Sequence, residues 1–108
     1  MKLIIAIVQD DDAPDLVNEL TDAGYRVTKL ATTGGFLKSG NTTLMIGVEK
    51  EKVDKVLEII EDICKVRDQI VATPLPTTST GVYVPFPVEV QVGGATIFVV
   101  DVDQFIKI

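Results

Sequence analysis

The sequence predicts an α+β fold in which two amphipathic helices cover one face of an antiparallel β-sheet. Two observations predict it. Aliphatic runs with strand patterns are separated by two segments of helical periodicity, and the elements follow in the order strand, helix, strand, strand, helix, strand, with one extra late strand. The 108 residues are 46% hydrophobic, which suffices for a core. We therefore expect a single domain over residues 1–108.

A change in apolar spacing marks the first strand and the first helix. Leu3–Val8 is a continuous aliphatic run, as in a strand buried on both faces. Asp10–Asp12 then predict a solvated turn, and acidic residues ahead of a helix suit its N-terminal dipole. Pro14 fits the first helical turn and Gly24 the C-terminal stop. The apolar stripe of this helix comprises Ala13, Leu16, Val17, Leu20 and Ala23.

A hairpin and a second helix come next. Tyr25–Thr32 and Thr43–Val48 have strand patterns on either side of a glycine-rich loop. The helix that follows ends near Lys65 and Arg67, whose charges suit a helix C-terminus. We interpret Cys64, on its apolar stripe, as an inert core thiol. That stripe comprises Val53, Val56, Leu57, Ile60, Ile63 and Cys64.

The last third of the chain contains four of the five prolines. Residues 68–87, rich in Pro and Thr, predict a long loop. Val88–Val92 alternates as a strand does, and Gly93-Gly94 predicts a hairpin to Ala95–Val100. The whole order is that of a ferredoxin-like βαββαβ subunit with an extra late strand. Because both helices lie on one face, we expect an oligomer to cover the other.

Composition excludes several classes of function. The net charge of −6 argues against binding to nucleic acid or to an anionic membrane. The absence of histidine and the single cysteine rule out His general bases, Cys/His zinc sites and disulfides within the chain. No pairing of nucleophile and base stands out, so we predict neither a catalytic nor a metal site. No apolar run is long enough to span a membrane, and we expect a cytoplasmic protein.

The stretch TTGGFLKSGNTT contains the predicted ligand loop, residues 33–42. Gly35, four residues and Gly40-Asn41-Thr42 nearly match a phosphate-binding P-loop, but Asn stands where the essential Lys belongs. The segment also runs into a strand, whereas a P-loop opens a helix. NTP hydrolysis is therefore disfavoured, although glycine-rich turns can still present N–H groups to an anion.

Side chains around this loop suit a phosphate and a purine. Arg26 and Thr28 fall on one side of an extended strand, where a guanidinium and a hydroxyl can bind phosphate. Phe36 and Leu37 can form an apolar wall for a base, and Asn41 can donate to and accept from a base edge. A solvated Arg26 and a loop anchored by Phe36 and Leu37 are equally open at this point.

Three stretches resemble a known family. MKLIIAIVQD, YRVTKLATTGGFLKSGNTTLMIGVE and YVPFPVEVQVGGATIFVVDVDQF look like the cyclic di-AMP receptors of the PII-like PstA/DarA family, in register over nearly the whole chain. The resemblance implies a PII-like, ferredoxin-like subunit in a homotrimer, with cyclic di-AMP in each cleft between subunits. It also implies a cytosolic signal receptor without catalysis or other cofactor, acting on an unknown downstream protein.

The resemblance also implies a set of ligand-binding residues. Arg26 and Thr28 match positions near the phosphates, and Gly47 matches a backbone contact on the following strand. Phe98 matches a late-strand position that completes the cleft. The ending FIKI replaces a more polar and aromatic one, so Lys107 can reach a phosphate in its place. The matched positions that enclose an adenine are Gly35, Phe36, Leu37 and Asn41.

Two other functions fit the sequence. A PII-like regulator could bind ATP or ADP, although that class uses a cluster of basic residues for the triphosphate and this chain has few in the relevant segments. A trimeric protein-interaction module could use Phe36 and Leu37 only to dock a partner. Titration with nucleotides discriminates among the three.

Overall fold

The structure is a computed structural model that describes residues 1–30, 40–76 and 83–108. One strand precedes the first helix, two strands separate it from the second helix, and three strands follow. A short 3₁₀ turn, Lys50–Lys52, leads into that helix. The elements are β1 (Lys2–Gln9), α1 (Ala13–Asp22), β2 (Val27–Leu30), β3 (Asn41–Val48), α2 (Val53–Cys64), β4 (Arg67–Pro76), β5 (Tyr83–Val92) and β6 (Ala95–Asp101).

The central sheet has the ferredoxin-like topology that the sequence predicts. Its strand order is β2-β3-β1-β6, and every neighbouring pair is antiparallel. The βαββαβ unit is therefore β1, α1, β2, β3, α2 and β6. β4 and β5 pair with each other in a second, two-stranded sheet inserted before β6.

The core lies between the sheet and the two helices. Alternate side chains of β1 and β3 are buried, as the period of two along a strand requires. The stripes of α1 and α2 meet them with side chains spaced three or four residues apart. The core comprises Ile4, Ala6, Val8, Ala13, Leu16, Leu20, Leu44, Ile46, Val48, Val56, Ile60 and Cys64. Burial of Cys64 confirms its interpretation as a core thiol.

Local signals explain the ends of α1. Pro14 lies in its first turn, where a missing N–H removes no intrahelical hydrogen bond. Gly24 follows the helix with φ +91°, a conformation that other residues rarely adopt. No helix within residues 1–30, 40–76 and 83–108 is long and apolar enough to cross a membrane.

The predicted loop over residues 68–87 is wrong in most of its length. Arg67–Pro76 and Tyr83–Val92 are the two strands of a long hairpin, with Pro74 opposite Pro85. Prolines interrupt central strands because they lack an N–H donor, but in a two-stranded ribbon each strand has a free edge that tolerates them. The prediction of a loop rested on the number of prolines and did not allow for strands with a free edge.

The extra late strand in the structure is not the one that the sequence predicts. Gly93-Gly94 does not join β5 and β6 into a hairpin, because β5 pairs with β4 and β6 pairs with β1. The two glycines, at φ +91° and +99°, carry the chain from one sheet to the other. The fourth ferredoxin strand is thus Ala95–Asp101, and the extra structure is the hairpin.

Candidate functional site

The face of the central sheet opposite the helices is open and largely apolar. In β1 and β3 the odd-numbered residues lie on this face, because the even-numbered ones are buried in the core. Direct cross-strand partners point to the same side of a sheet, which extends the face to β2 and β6. It comprises Leu3, Ile5, Ile7, Gln9, Thr28, Leu30, Asn41, Thr43, Met45, Gly47, Thr96, Phe98 and Val100.

Four of the residues predicted to bind ligand belong to this open face. Thr28 and Phe98 end one cross-strand row that runs through Met45 and Ile5. Three strand spacings of about 4.8 Å separate them, or roughly 14 Å. Phe98 is 52% exposed although it is aromatic. The row therefore has a hydroxyl at one edge, an uncovered ring at the other, and aliphatic side chains between.

Arg26 and Gly47 lie beside that row. Continuing the β2–β3 register by one residue places Arg26 opposite Gly47, and Arg26 is exposed. A Cβ built on Gly47 meets no atom within 4 Å, and its φ is not positive. Neither packing among the described residues nor backbone conformation requires glycine here. The small residue instead leaves the strand backbone open to close approach from outside.

Asn41 lies at the other end of β3, four residues from Met45 and thus about 14 Å along the strand. It is exposed and pairs across the sheet with Gln9. Both line a cavity of about 350 Å³ with Gly93 and Thr96, and a second of about 220 Å³ with Asp10 and Gln91. The structure thus brings Asn41 next to polar groups that the sequence analysis did not select.

Hydrogen bonds organise this polar end of the sheet. The Gly93 N–H donates to Gln9 Oε1 at 2.8 Å. The Thr42 hydroxyl donates to Asp10 Oδ1, and the Asp10 N–H donates to the Gly40 carbonyl at 3.2 Å. Gly40 belongs to the predicted ligand loop, and Gly93 closes the base of the β4–β5 hairpin. Neighbouring residues of β1 and of the turn after it therefore hold both segments.

An ion pair locks the hairpin base to the helices. Arg67 Nη2 donates to Asp12 Oδ1 at 2.6 Å, and its Nη1 donates to the Lys65 carbonyl at 3.1 Å. Asp12 is only 5% exposed, so the solvated-turn prediction is wrong for this aspartate. Arg67 satisfies carbonyls at the C-terminus of α2, as its predicted position at that helix end requires.

Two pKa shifts follow from this packing. The hydrogen bond to Asp12 raises the pKa of the Arg67 guanidinium, so this group stays charged. Burial, reinforced by the nearby Asp12 carboxylate, raises the pKa of the Cys64 thiol to about 11. A protonated, buried thiol is a poor nucleophile.

Three predicted residues, Gly35, Phe36 and Leu37, lie outside the described residues. The predicted loop ends earlier than residue 42, because Asn41 and Thr42 already belong to β3. Sequence reasoning missed Gln9, whose partner Gly93 is 84 residues away. Its one local signal was a polar residue at the end of an aliphatic strand.

A separate cavity of about 580 Å³ lies between α2 and β6, on the other side of the sheet. Apolar side chains, among them Leu57, Ile97 and Val99, make up much of its lining. Among the side chains that the structure describes, no three Cys, Asp or Glu come together as metal ligands would. None of the described residues predicted to bind ligand lines this cavity.

Comparisons with known proteins show which proteins and which family this chain resembles. It is 50% identical to a protein of unknown function from Pediococcus pentosaceus ATCC 25745, whose crystal structure superimposes with a TM-score of 0.78 over 99% of this chain and 96% of that one. It is 38% identical over 74 residues to the nifHD-region GlnB-like protein 1 of Methanothermococcus thermolithotrophicus, covering 56% of this chain and 70% of that protein. All 108 residues match the sequence model of the cyclic-di-AMP receptors, and the chain belongs to that family.

Proposed function

We propose that this protein is a cytoplasmic receptor that binds cyclic di-AMP at the subunit interfaces of a homotrimer. Ligand binding rearranges residues 33–42 and the β4–β5 hairpin, and an unidentified protein reads the change. This proposal rests on one observation: Thr28, Gly47 and Phe98 share a sheet face that the described residues of one chain leave open. We assign it no catalytic reaction.

The open face supports assembly. Besides Phe98, its residues Val100 and Leu30 are each 41% exposed. Contiguous apolar surface of this kind marks interfaces in soluble proteins. The hairpin adds to the argument, since the chain extends over 66 Å with a radius of gyration of 18.5 Å, against about 13 Å for a compact domain of this length. Isolated two-stranded ribbons are marginally stable, and neighbouring subunits would cover both the face and the ribbon.

The phosphates of the ligand are assigned to the Arg26 end of the row. An exposed guanidinium, the Thr28 hydroxyl and the open backbone at Gly47 supply charge, a donor and room for close approach. Two phosphate charges need few cations, which suits a chain of net charge −6. A triphosphate would need more. Lys107 of the exposed C-terminal segment is a further phosphate contact in this proposal.

The adenine is assigned to the loop that precedes β3. Gly35, Phe36 and Leu37 enclose the base, and Asn41 contacts its edge. Phe98 completes the cleft from the far edge of the sheet. Asn41 and Phe98 are far apart within one chain, which supports a cleft to which more than one subunit contributes.

We expect the signal to reach a target through the two segments that border the site, the loop before β3 and the β4–β5 hairpin. Residue 40 and the hairpin base both bond to neighbouring residues Gln9 and Asp10. A ligand that prefers one arrangement of the loop shifts the population toward it, in proportion to its differential affinity. The hairpin is the longest projecting element of the described chain and is the surface proposed for the target.

Calorimetric titration of the intact protein with cyclic di-AMP, cyclic di-GMP, ATP and ADP tests this function. We expect saturable binding of cyclic di-AMP at one molecule per chain, with weaker or no binding of the others. A response to ATP or ADP without one to cyclic di-AMP would instead establish the PII-like nucleotide regulator. If none of the four nucleotides binds and the protein is a trimer in solution, the protein-interaction module would be favoured.

Arg26→Ala tests the phosphate assignment. Because a charged hydrogen bond is lost, affinity for cyclic di-AMP should fall by about 1–3 kcal/mol, measured by calorimetry. Lys29→Ala is the matched control, since Lys29 is an exposed cation three residues along the same segment and, as an odd-numbered residue of β2, lies on the opposite side of the strand from Thr28. Equal losses in both variants would mean that general positive charge, rather than Arg26, attracts the ligand.

A further inference from the structure

Gln9 is the polar side chain that connects the two cavities at the end of the sheet. It is the last residue of β1, belongs to the open face, and lies directly opposite Asn41. It borders both the 350 Å³ and the 220 Å³ cavity. Asn41 is the one other residue common to the two described linings. The two carboxamides thus form a pair across neighbouring strands.

The hydrogen bond from Gly93 determines which way the oxygen and nitrogen of the Gln9 carboxamide point. A backbone N–H can only donate, so the atom that receives it at 2.8 Å must be the oxygen. The carboxamide therefore directs its oxygen to the hairpin base, and its two N–H donors make no hydrogen bond to residues 1–30, 40–76 or 83–108. Gln9 is half-buried, and a preorganised donor in a partly desolvated site discriminates among ligand atoms more strongly than a mobile one.

The position of Gly93 does not admit a side chain. Its φ is +91°, and an added Cβ would overlap the Lys65 carbonyl oxygen and lie 2.9 Å from the Cys64 carbonyl oxygen. The next residue, Gly94, donates its N–H to the Cys64 carbonyl, which attaches this turn to the end of α2. Because the turn that bonds to Gln9 is attached to α2, the orientation of Gln9 depends on the packed fold.

We propose that Gln9 is a further specificity-determining residue of the ligand site, donating a hydrogen bond to a ring nitrogen of the purine that Asn41 also contacts. This inference rests on the proposed binding of cyclic di-AMP. Purine ring nitrogens accept hydrogen bonds, and the committed orientation of Gln9 supplies a donor without further ordering. The same residue links the base to the hairpin through Gly93.

Three variants of the full chain test this role by calorimetry with cyclic di-AMP. Gln9→Met removes both the donor and the acceptor. Gln9→Glu keeps an oxygen for the Gly93 N–H but removes the donor. Gln91→Glu places the same charge in the same cavity, because Gln91 also lines the 220 Å³ space. Hydrogen exchange at the Gly93 amide reports whether the hairpin base stays closed in each variant.

Both Gln9 variants should weaken binding at least about tenfold, or about 1.4 kcal/mol, while Gln91→Glu changes it less than about twofold. Protection of the Gly93 amide should persist in Gln9→Glu. Wild-type affinity in Gln9→Glu would overturn the proposal, because Gln9 would then act only through the hairpin. An equal loss in Gln91→Glu and Gln9→Glu would overturn it too, since charge alone would explain the effect. Absence of binding to the wild-type protein would instead refute the proposed function.

Discussion

At the scale of single residues, the distinction that matters is between residues the fold requires and residues it leaves free. Gly93 is required, because its φ is positive and backbone oxygens surround the space where a side chain would lie. Gly47 is not required, because none of the described residues has an atom within 4 Å of an added Cβ. Where the fold does not require a residue on an otherwise apolar face, ligand binding has to explain why that residue type occurs there.

Gly93→Ala should be markedly more destabilising than Gly24→Ala. Both glycines have φ +91°, but only Gly93 has atoms within 4 Å of an added Cβ. Gly24→Ala should cost about 1 kcal/mol of backbone strain. Gly93→Ala adds overlap with carbonyl oxygens and should cost about 3 kcal/mol in total. Urea unfolding of the two variants measures both values, and equal costs would show that the base of the hairpin yields easily.

Cys64 should make the protein less stable as pH rises from 9 to 11. Its pKa is raised from 9.0 to about 11 in the folded state, so the unfolded chain loses this proton first. The contribution is complete below pH 9 and is lost as pH rises through the folded pKa, at up to about 1.4 kcal/mol per pH unit. Lysine and tyrosine titrate in the same range, so Cys64→Ala is the reference.

The test compares the free energy of unfolding of wild type and Cys64→Ala at pH 8, 9, 10 and 11. The difference between the two proteins should shrink with pH. A constant difference would mean that the folded thiol ionises as readily as the unfolded one.

At the scale of elements, the β4–β5 hairpin is attached through its base. Arg67 opens β4 and contacts Asp12 before α1 and carbonyls at the end of α2. The Gly93 N–H after β5 bonds to the end of β1. One charged side chain and the backbone amides of Gly93 and Gly94, the latter bonded to the Cys64 carbonyl, therefore attach the base of the hairpin.

Arg67→Met should lower the melting temperature by several degrees and speed hydrogen exchange at the hairpin base. It leaves the Asp12 carboxylate, 5% exposed, without its cation. Lys2→Met is the control, because the Lys2–Asp101 pair lies at the surface, with Asp101 78% exposed, and such pairs contribute little. Pairing Arg67→Met with Asp12→Asn should restore part of the loss. Equal losses of melting temperature in Arg67→Met and Lys2→Met would contradict the structural role of the Arg67–Asp12 ion pair.

The elements also show how far the sequence could predict the structure. Both helices and the strands of the central sheet follow from apolar spacing, and the register places Thr28, Asn41, Gly47 and Phe98 on one face. The β4–β5 hairpin was missed because Pro74 and Pro85 indicate a loop unless the strand has a free edge. Gln9 was missed because its role depends on Gly93, which only the folded chain brings near.

At the scale of the whole molecule, the two faces of the central sheet differ in how far the described residues cover them. Its helices bury one face of the sheet, while the other face keeps Phe98, Val100 and Leu30 at 41–52% exposure. A chain of this size buries a modest fraction of its surface, and the proposed assembly through the open face would add a second apolar layer. The proposed trimer therefore contributes to stability as well as to the ligand site.

Ile5→Lys should dissociate the assembly. Ile5 occupies the centre of the open face, in the row that joins Thr28 to Phe98, and a buried lysine at an interface would lack a partner. Sedimentation should give wild type about three times the chain mass of 11.7 kDa, and the variant the mass of one chain. Asn18→Lys, an exposed position on α1, is the control. A trimer that survives Ile5→Lys would contradict assembly through this face.

A crystal structure of the protein with cyclic di-AMP tests the central claim most directly. The account predicts the ligand on the open side of the sheet, between two protomers. Its phosphate should lie within hydrogen-bond distance of Arg26 and Thr28, with backbone contact at Gly47. Ligand bound in the cavity between α2 and β6, or held entirely within one protomer, would contradict it.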